Sequence, residues 1–231
     1  MGKHVIDWSE EFAELPRLVK DSIFQKSVTR TFSNNGIIYF QEDDATSFHF
    51  VISGHVRLSY LMEDGTAILY TIVPPGHSFG ELGVFDRGQY PDTASAIGKT
   101  QILSVKADTA SLVDRCGGQL QNALSKLIAK RYRTYIDVTK SLYLKSLQAR
   151  LAQSLLRLVD SLGETAIYHG KEVACLGSAV NQSDLGSMAR GTRGNINRTL
   201  KGWEMNNWIA IENRKIIILD RQSIIDLTFD D

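Results

Sequence analysis

The sequence predicts an α+β protein with three parts in order: an antiparallel β-roll, one long helix, and a block of two short helices followed by a hairpin. Three observations predict it. Residues 36 to 105 alternate apolar and polar positions between turn signals. Residues 119 to 147 lack proline and glycine and repeat apolar residues every seventh position. Residues 181 to 220 read as helix, turn, helix, strand, turn, strand.

The roll is justified strand by strand. HVRLSY (55–60) places Val56, Leu58 and Tyr60 on one face. Asp64-Gly65 is a tight-turn signal, ILYTIV (68–73) is the return strand, and Pro74-Pro75-Gly76 stops it. The turn at Asn34-Asn35-Gly36, the short ISG (52–54) and ILSVKAD (102–108) continue the pattern. Many short strands with turns between them make an antiparallel barrel or roll.

In the long helix, Ile128, Tyr135 and Leu142 are seven apart, as are Leu120 and Leu127. Such a seam packs on its own roll or on a second copy. Its length favours pairing, since one small roll leaves part of so long a stripe uncovered. The seven basic residues between 125 and 150 read mostly as a solvated face. Next, Leu151, Leu155, Leu156 and Val159 form a helix ended by Gly163, and 165–180 is β-like. The expected domains are 1–117, a sensor roll; 118–146, the dimerisation helix and hinge; and 147–231, the helix-turn-helix block. The hinge is expected at Leu144 to Leu147.

Bulk composition narrows the function. The chain has 231 residues, 43% hydrophobic and 23% charged, with 26 cations and 26 anions. That is ordinary globular composition, with no global field that would draw in nucleic acid. Cys116 and Cys175 make no disulfide framework, and an iron–sulfur cluster would need about four cysteines. His4, His49, His55, His77 and His169 have no metal-ligand spacing, and a lone His77 is a weak haem ligand. Asp43-Asp44, Glu81 and Asp92 lack a paired base or nucleophile, so no catalytic residues are assigned. The start, MGKHVIDWSEEFAELP, has no apolar core of a signal peptide, and no run approaches the ~18 apolar residues that span a bilayer. The expectation is a cytoplasmic, non-enzymatic protein without membrane contact.

Local charge restores the nucleic acid. The helix 182–189 turns Leu185, Met188 and Ala189 inward. Gly191 is placed for the sharp turn, and Thr192 caps the next helix. That helix buries Ile196, Leu200 and Trp203 and presents Arg193, Asn195, Asn197, Arg198 and Lys201. Between 185 and 203 there are four cations and no acid. A basic helix led by a turn and another helix is helix-turn-helix geometry, in which arginine reads guanine and asparagine reads adenine. The hairpin that follows makes a wing, with Arg214-Lys215 at its tip to meet phosphate.

The stretch NQSDLGSMARGTRGNINRTLKGWEMNNWIAIENRKIIIL resembles the winged helix-turn-helix of the Crp/Fnr family of bacterial transcription regulators. The resemblance implies base reading by Arg193 and Arg198 and phosphate contact by Gln182 and Ser183, with Thr192, Asn195 and Asn197 beside them. Gly194 stands where the catabolite-activator branch has a cytosine-reading glutamate, so a related but different palindrome is expected.

The same family places a cyclic-nucleotide-binding roll and a dimer helix before this block. GELGVF (80–85) resembles the start of its phosphate cassette, in which amides after the glycine cap the phosphate and the glutamate accepts from the ribose 2′-hydroxyl. Gly80, Glu81 and Leu82 carry over. The far end, PDTAS (91–95), keeps Thr93 and Ala94 but has Asp92 where the family has a phosphate-neutralising arginine. A carboxylate there repels phosphate by ~1 kcal/mol or more. Relief comes from Arg87 folding back while Asp92 turns to solvent, or from Thr93 and backbone amides. On the long helix Tyr135-Ile136 replaces a base-contacting Thr-Ser pair, so Thr134 bonds a purine, or Tyr135 stacks on it or is simply a seam residue.

The resemblance implies a homodimer on a palindromic double-stranded DNA operator. RNA polymerase would be its partner, cAMP or cGMP its effector, and no cofactor is covalently bound. Two alternatives stand: a regulator of this type without a cyclic nucleotide, and a cyclic-nucleotide module that docks a protein.

Overall fold

In the computed structural model, residues 10–85, 88–106 and 118–229 are described. They form two compact units. One takes the described residues up to Gly65 and Thr71–Tyr135; the other takes Thr66–Tyr70 and the described residues from Ile136 onward.

The first unit opens with two helices that the sequence reading did not anticipate, α1 (Glu10–Ala13) and α2 (Arg17–Gln25). Phe12, Leu15 and Ile23 bury against Phe48, Phe50, Leu103 and Val105, which makes these helices one wall of the roll's core. The sheet contains β1 (Ser27–Phe32), β2 (Ile37–Tyr39), β3 (Ser47–Leu61), β4 (Ala67–Val73), β5 (Ser78–Phe79) and β6 (Thr93–Lys106). Its order is β1-β6-β3-β4, with β2 on β6 and β5 on β3. The pairs β1–β6, β2–β6, β3–β5 and β3–β6 are antiparallel.

The expected run of short strands is corrected by β3 and β6, of 15 and 14 residues. Their pairing slips between Val51, Ser53 and His55, so a strand that reads as two pieces continues through a bulge.

The long helix α4 (Gln119–Tyr143) has 25 residues. The expected seam is corrected as well. Leu127 is 3% exposed and, with Ala123, completes the roll's own core. The exposed apolar residues are Tyr132, Ile136 and Tyr143, at spacings of four and seven. Ile128 and Tyr135 are half-buried, and the side chains of Leu120 and Leu142 lie outside the described residues.

In the second unit, Ser146 caps α5 (Leu147–Leu162) by accepting from the Ala149 amide, and Gly163 ends the helix in the left-handed region. Then come β7 (Thr165–Tyr168), β8 (Lys171–Leu176), α6 (Gln182–Ala189), α7 (Arg193–Met205), β9 (Ile209–Glu212), β10 (Lys215–Ile218) and a short α8 (Arg221–Asp226). The strand order is β7-β8-β10-β9. Leu151, Leu155, Leu185, Ile196, Leu200, Ile209 and Ile224 are each buried to within 1%. At about 1.5–3 kcal/mol for each large apolar side chain removed from water, this core holds α7 in place. Among the described residues, no helix is long and apolar enough to cross a membrane.

Candidate ligand site and nucleic-acid interface

The cassette GELGVF is not a plain loop. Gly80 has φ +77 and leads into a one-turn helix α3 (Glu81–Phe85). A Cβ on Gly80 would stand 3.2 Å from the rings of Tyr39, His49 and Tyr90. Glycine therefore serves both backbone sign and close approach here. Those rings form a stack: Tyr39 lies on Tyr90 at 3.7 Å between centroids, and His49 lies against Phe79 at 5.0 Å. His49 Nδ1 is 3.0 Å from Ser104 Oγ. Burial holds the His49 ring near a pKa of about 3, so it is neutral.

Asp92 is 4% exposed and accepts from the Tyr39 hydroxyl at 2.8 Å. This corrects the expectation that Asp92 turns to solvent: Tyr39, on β2, supplies the donor that keeps the carboxylate inside. Burial, then Asp92, raise the Tyr39 pKa well above its ordinary value, so its proton stays on to donate. Glu81 is 2% exposed. Its Oε1 accepts from Arg131 Nε at 2.9 Å, and Arg131 also donates to the Ser78 carbonyl. Glu81 Oε2 and Ser78 Oγ are buried without a hydrogen-bond partner.

The other expected ligand residues fall around this centre unevenly. Leu82 is half-buried on α3, and Ala94 is fully buried on β6. The Thr93 hydroxyl accepts from the Gln41 amide at 3.0 Å, so it is already engaged. Thr134 donates to the Lys130 carbonyl of its own helix at 3.2 Å, and Tyr135 is half-buried beside it. Arg87, His4 and Cys116 lie outside the described residues. His77 sits in a turn with Nδ1 3.3 Å from the Pro75 carbonyl.

Sequence reasoning missed Arg131, one of five cations on its helix. Its signal was position: it lies three and four residues before Thr134 and Tyr135, on the same helical face. These residues fit a sugar hydroxyl at Glu81. The buried Asp92 carboxylate opposes a phosphate placed beside it.

The second unit presents a surface of the opposite kind. Asn181 caps α6 and forms a capping box with Asp184. The sharp turn falls on Arg190, at φ 53 and ψ 49, rather than on Gly191. Gly191 is needed for another reason: a Cβ there would stand 2.6 Å from Leu147 Cδ1. Thr192 caps α7 by accepting from the Asn195 amide at 3.3 Å. With Ile196, Leu200 and Trp203 buried, α7 exposes Arg193, Asn195, Arg198 and Lys201.

Gln182 Nε2 donates to Asn197 Oδ1 at 3.2 Å, which joins the two helices across their polar edge. Ser183 is exposed at the start of α6. A cleft of about 530 Å³ lies between α6, α7 and the wing, lined by Gln182, Ser183, Arg193 and Arg214. A second, also about 530 Å³, runs on the other flank of α7 between Asn195, Arg198 and the start of α5. The wing turn, Asn213-Arg214, has both φ angles positive, as a two-residue hairpin requires.

Arg150, on α5, ties the junction together. Its Nε donates to the Ala189 carbonyl at 2.8 Å, and one terminal nitrogen donates to the carbonyls of Leu144 and Lys145 at 2.8 Å each.

Two family models match. Residues 29–111 match the cyclic nucleotide-binding domain and 149–227 the Crp-like helix-turn-helix domain. A CRP-like cAMP-activated global transcriptional regulator of Mycobacterium tuberculosis is 25% identical over 199 residues, covering 84% of each chain. A cyclic AMP receptor protein of Thermus thermophilus is 29% identical over 157 residues, 67% of this chain and 71% of that one. The solved structure of FixK2 from Bradyrhizobium japonicum superposes with a TM-score of 0.74 at 24% identity, over 87% of this chain and 96% of that one. That last likeness is one of fold.

Proposed function

The chain belongs to the Crp/Fnr family of transcription regulators, and on that premise we propose that it acts as a homodimer on a palindromic double-stranded operator, in the cytoplasm, with RNA polymerase as its protein partner. One observation carries the DNA reading: a capped helix, anchored by three buried residues, exposes Arg193, Asn195, Arg198 and Lys201 between two clefts. Arg193 and Arg198 read base edges; Gln182, Ser183, Thr192 and Arg214 position the duplex backbone. The exposed Tyr132, Ile136 and Tyr143 support pairing of two copies along α4. A small ligand in the first unit biases one arrangement of the paired helices, and so the spacing of the two reading helices, one DNA turn apart.

Two readings of that ligand differ by observation. The matched nucleotide-binding domain and the Glu81–Arg131 pair favour a cyclic nucleotide, cAMP or cGMP. The buried Asp92 favours an effector that is not one.

The test of DNA reading is a mobility-shift titration on an operator selected from random sequence. Arg193→Ala is expected to weaken specific binding by ~1–3 kcal/mol and to relax preference at one position of each half-site. Unchanged affinity and preference would remove the assignment. DNA affinity is expected to fall with rising salt, because phosphate contacts release counterions; absence of such DNA affinity would favour a protein-docking module.

A further inference from the structure

The chemistry of the cassette can be taken further, on the reading that the first unit is the sensor. Asp92 accepts from the Tyr39 hydroxyl at 2.8 Å, and Gly80, the residue before Glu81, packs so closely on the Tyr39 ring that a Cβ would stand 3.2 Å from it. A ligand that reaches one carboxylate is therefore near the other. Arg131 engages only Oε1 of Glu81; Oε2 is left buried with no partner, as is Ser78 Oγ.

A carboxylate oxygen only accepts hydrogen bonds, so the group that satisfies Oε2 must donate. A buried acceptor without a donor loses the full desolvation energy of the group, so the site favours a ligand that brings one. An ionised phosphodiester does the reverse. It brings acceptors and a negative charge to a place where Asp92 is buried and already holds the nearest phenolic proton.

We propose that the cassette takes an uncharged ligand bearing hydroxyl or N–H donors, satisfying Glu81 Oε2 and Ser78 Oγ, and that Asp92 excludes a cyclic mononucleotide. Adenosine and cAMP form the matched probe pair, since both carry a ribose 2′-hydroxyl and only one carries the phosphodiester.

The experiment is calorimetric titration of the nucleotide-stripped full chain with each, for wild type and for Asp92→Asn and Asp92→Arg. Asparagine keeps an acceptor for the Tyr39 hydroxyl, so this variant preserves the fold if arginine does not. The expected result is adenosine binding at least about tenfold tighter than cAMP in the wild type, with the ratio shrinking or inverting when the carboxylate is removed. Should neither bind the wild type, the uncharged-ligand assignment falls; a gain of cAMP binding in Asp92→Asn or Asp92→Arg would then support only the exclusion by Asp92, and no gain in either overturns that as well. Wild-type binding of cAMP as tight as adenosine overturns it. Mobility shifts on the same preparations report DNA binding separately, so a failed sensor assignment and a failed DNA reading are told apart.

Discussion

The polar groups of the two units are spent in opposite directions. In the first unit polar side chains turn inward in pairs, Tyr39 with Asp92, Arg131 with Glu81 and His49 with Ser104. In the second, Arg193, Arg198 and Lys201 turn outward from a helix whose rigidity comes from Ile196, Leu200 and Trp203. The lesson is that a reading surface keeps its charges uncommitted on a stiff support, whereas a sensing interior keeps its charges engaged until something replaces a partner. Substitutions in the first should cost folding stability, and those in the second should cost binding.

The largest expected effect is Arg131→Ala. It leaves the buried Glu81 side chain without its partner, and breaking such a pair costs ~3–5 kcal/mol. Urea unfolding followed by a probe in the sheet unit measures it, and an unchanged midpoint would break the contrast.

Acid comes next. His49 has a pKa of about 3 in the fold against 6.5 when exposed. The unfolded chain takes the proton first, so stability is intact above about pH 6.5 and falls by up to ~1.4 kcal/mol per pH unit on the way down towards 3. The urea midpoint should drop across that window in the wild type and less steeply in His49→Gln.

Arg198→Ala is the counterpart on the reading side. It should lose ~1–3 kcal/mol of operator binding in a mobility-shift titration while leaving the urea midpoint where it was. A fall in stability of similar size would mean that the outward charges are structural after all.

The smallest effect is Asn181→Ala, which removes the cap from α6 and should cost ~1 kcal/mol of stability in the second unit. Operator affinity should change less than it does with Arg198→Ala.

Much of the second unit was legible because its information is local. Period and capping gave α6, Thr192 and the wing, since each depends on residues a few positions apart. The long helix was legible but its seam was misplaced. A seven-residue repeat allows more than one face, and only the roll's own core decides that Leu127 turns inward.

The interior of the first unit was the least legible part. Tyr39 and Asp92 are 53 positions apart, and Glu81 and Arg131 are 50 apart. No local pattern marks such partners. The bulge that carries β3 through Gly54 likewise reads as an end until the opposite strand is known.

The Arg150 side chain has a mechanical consequence. One flat cation grips the two residues that follow α4, Leu144 and Lys145, through their carbonyls and the last residue of α6 through a third. Leu147 is packed against the turn at Gly191, since a Cβ there would stand 2.6 Å from Leu147 Cδ1. Within the second unit, the segment 144–147, the start of α5 and the end of α6 therefore share one clamp, and Arg150→Ala would release three carbonyls at once.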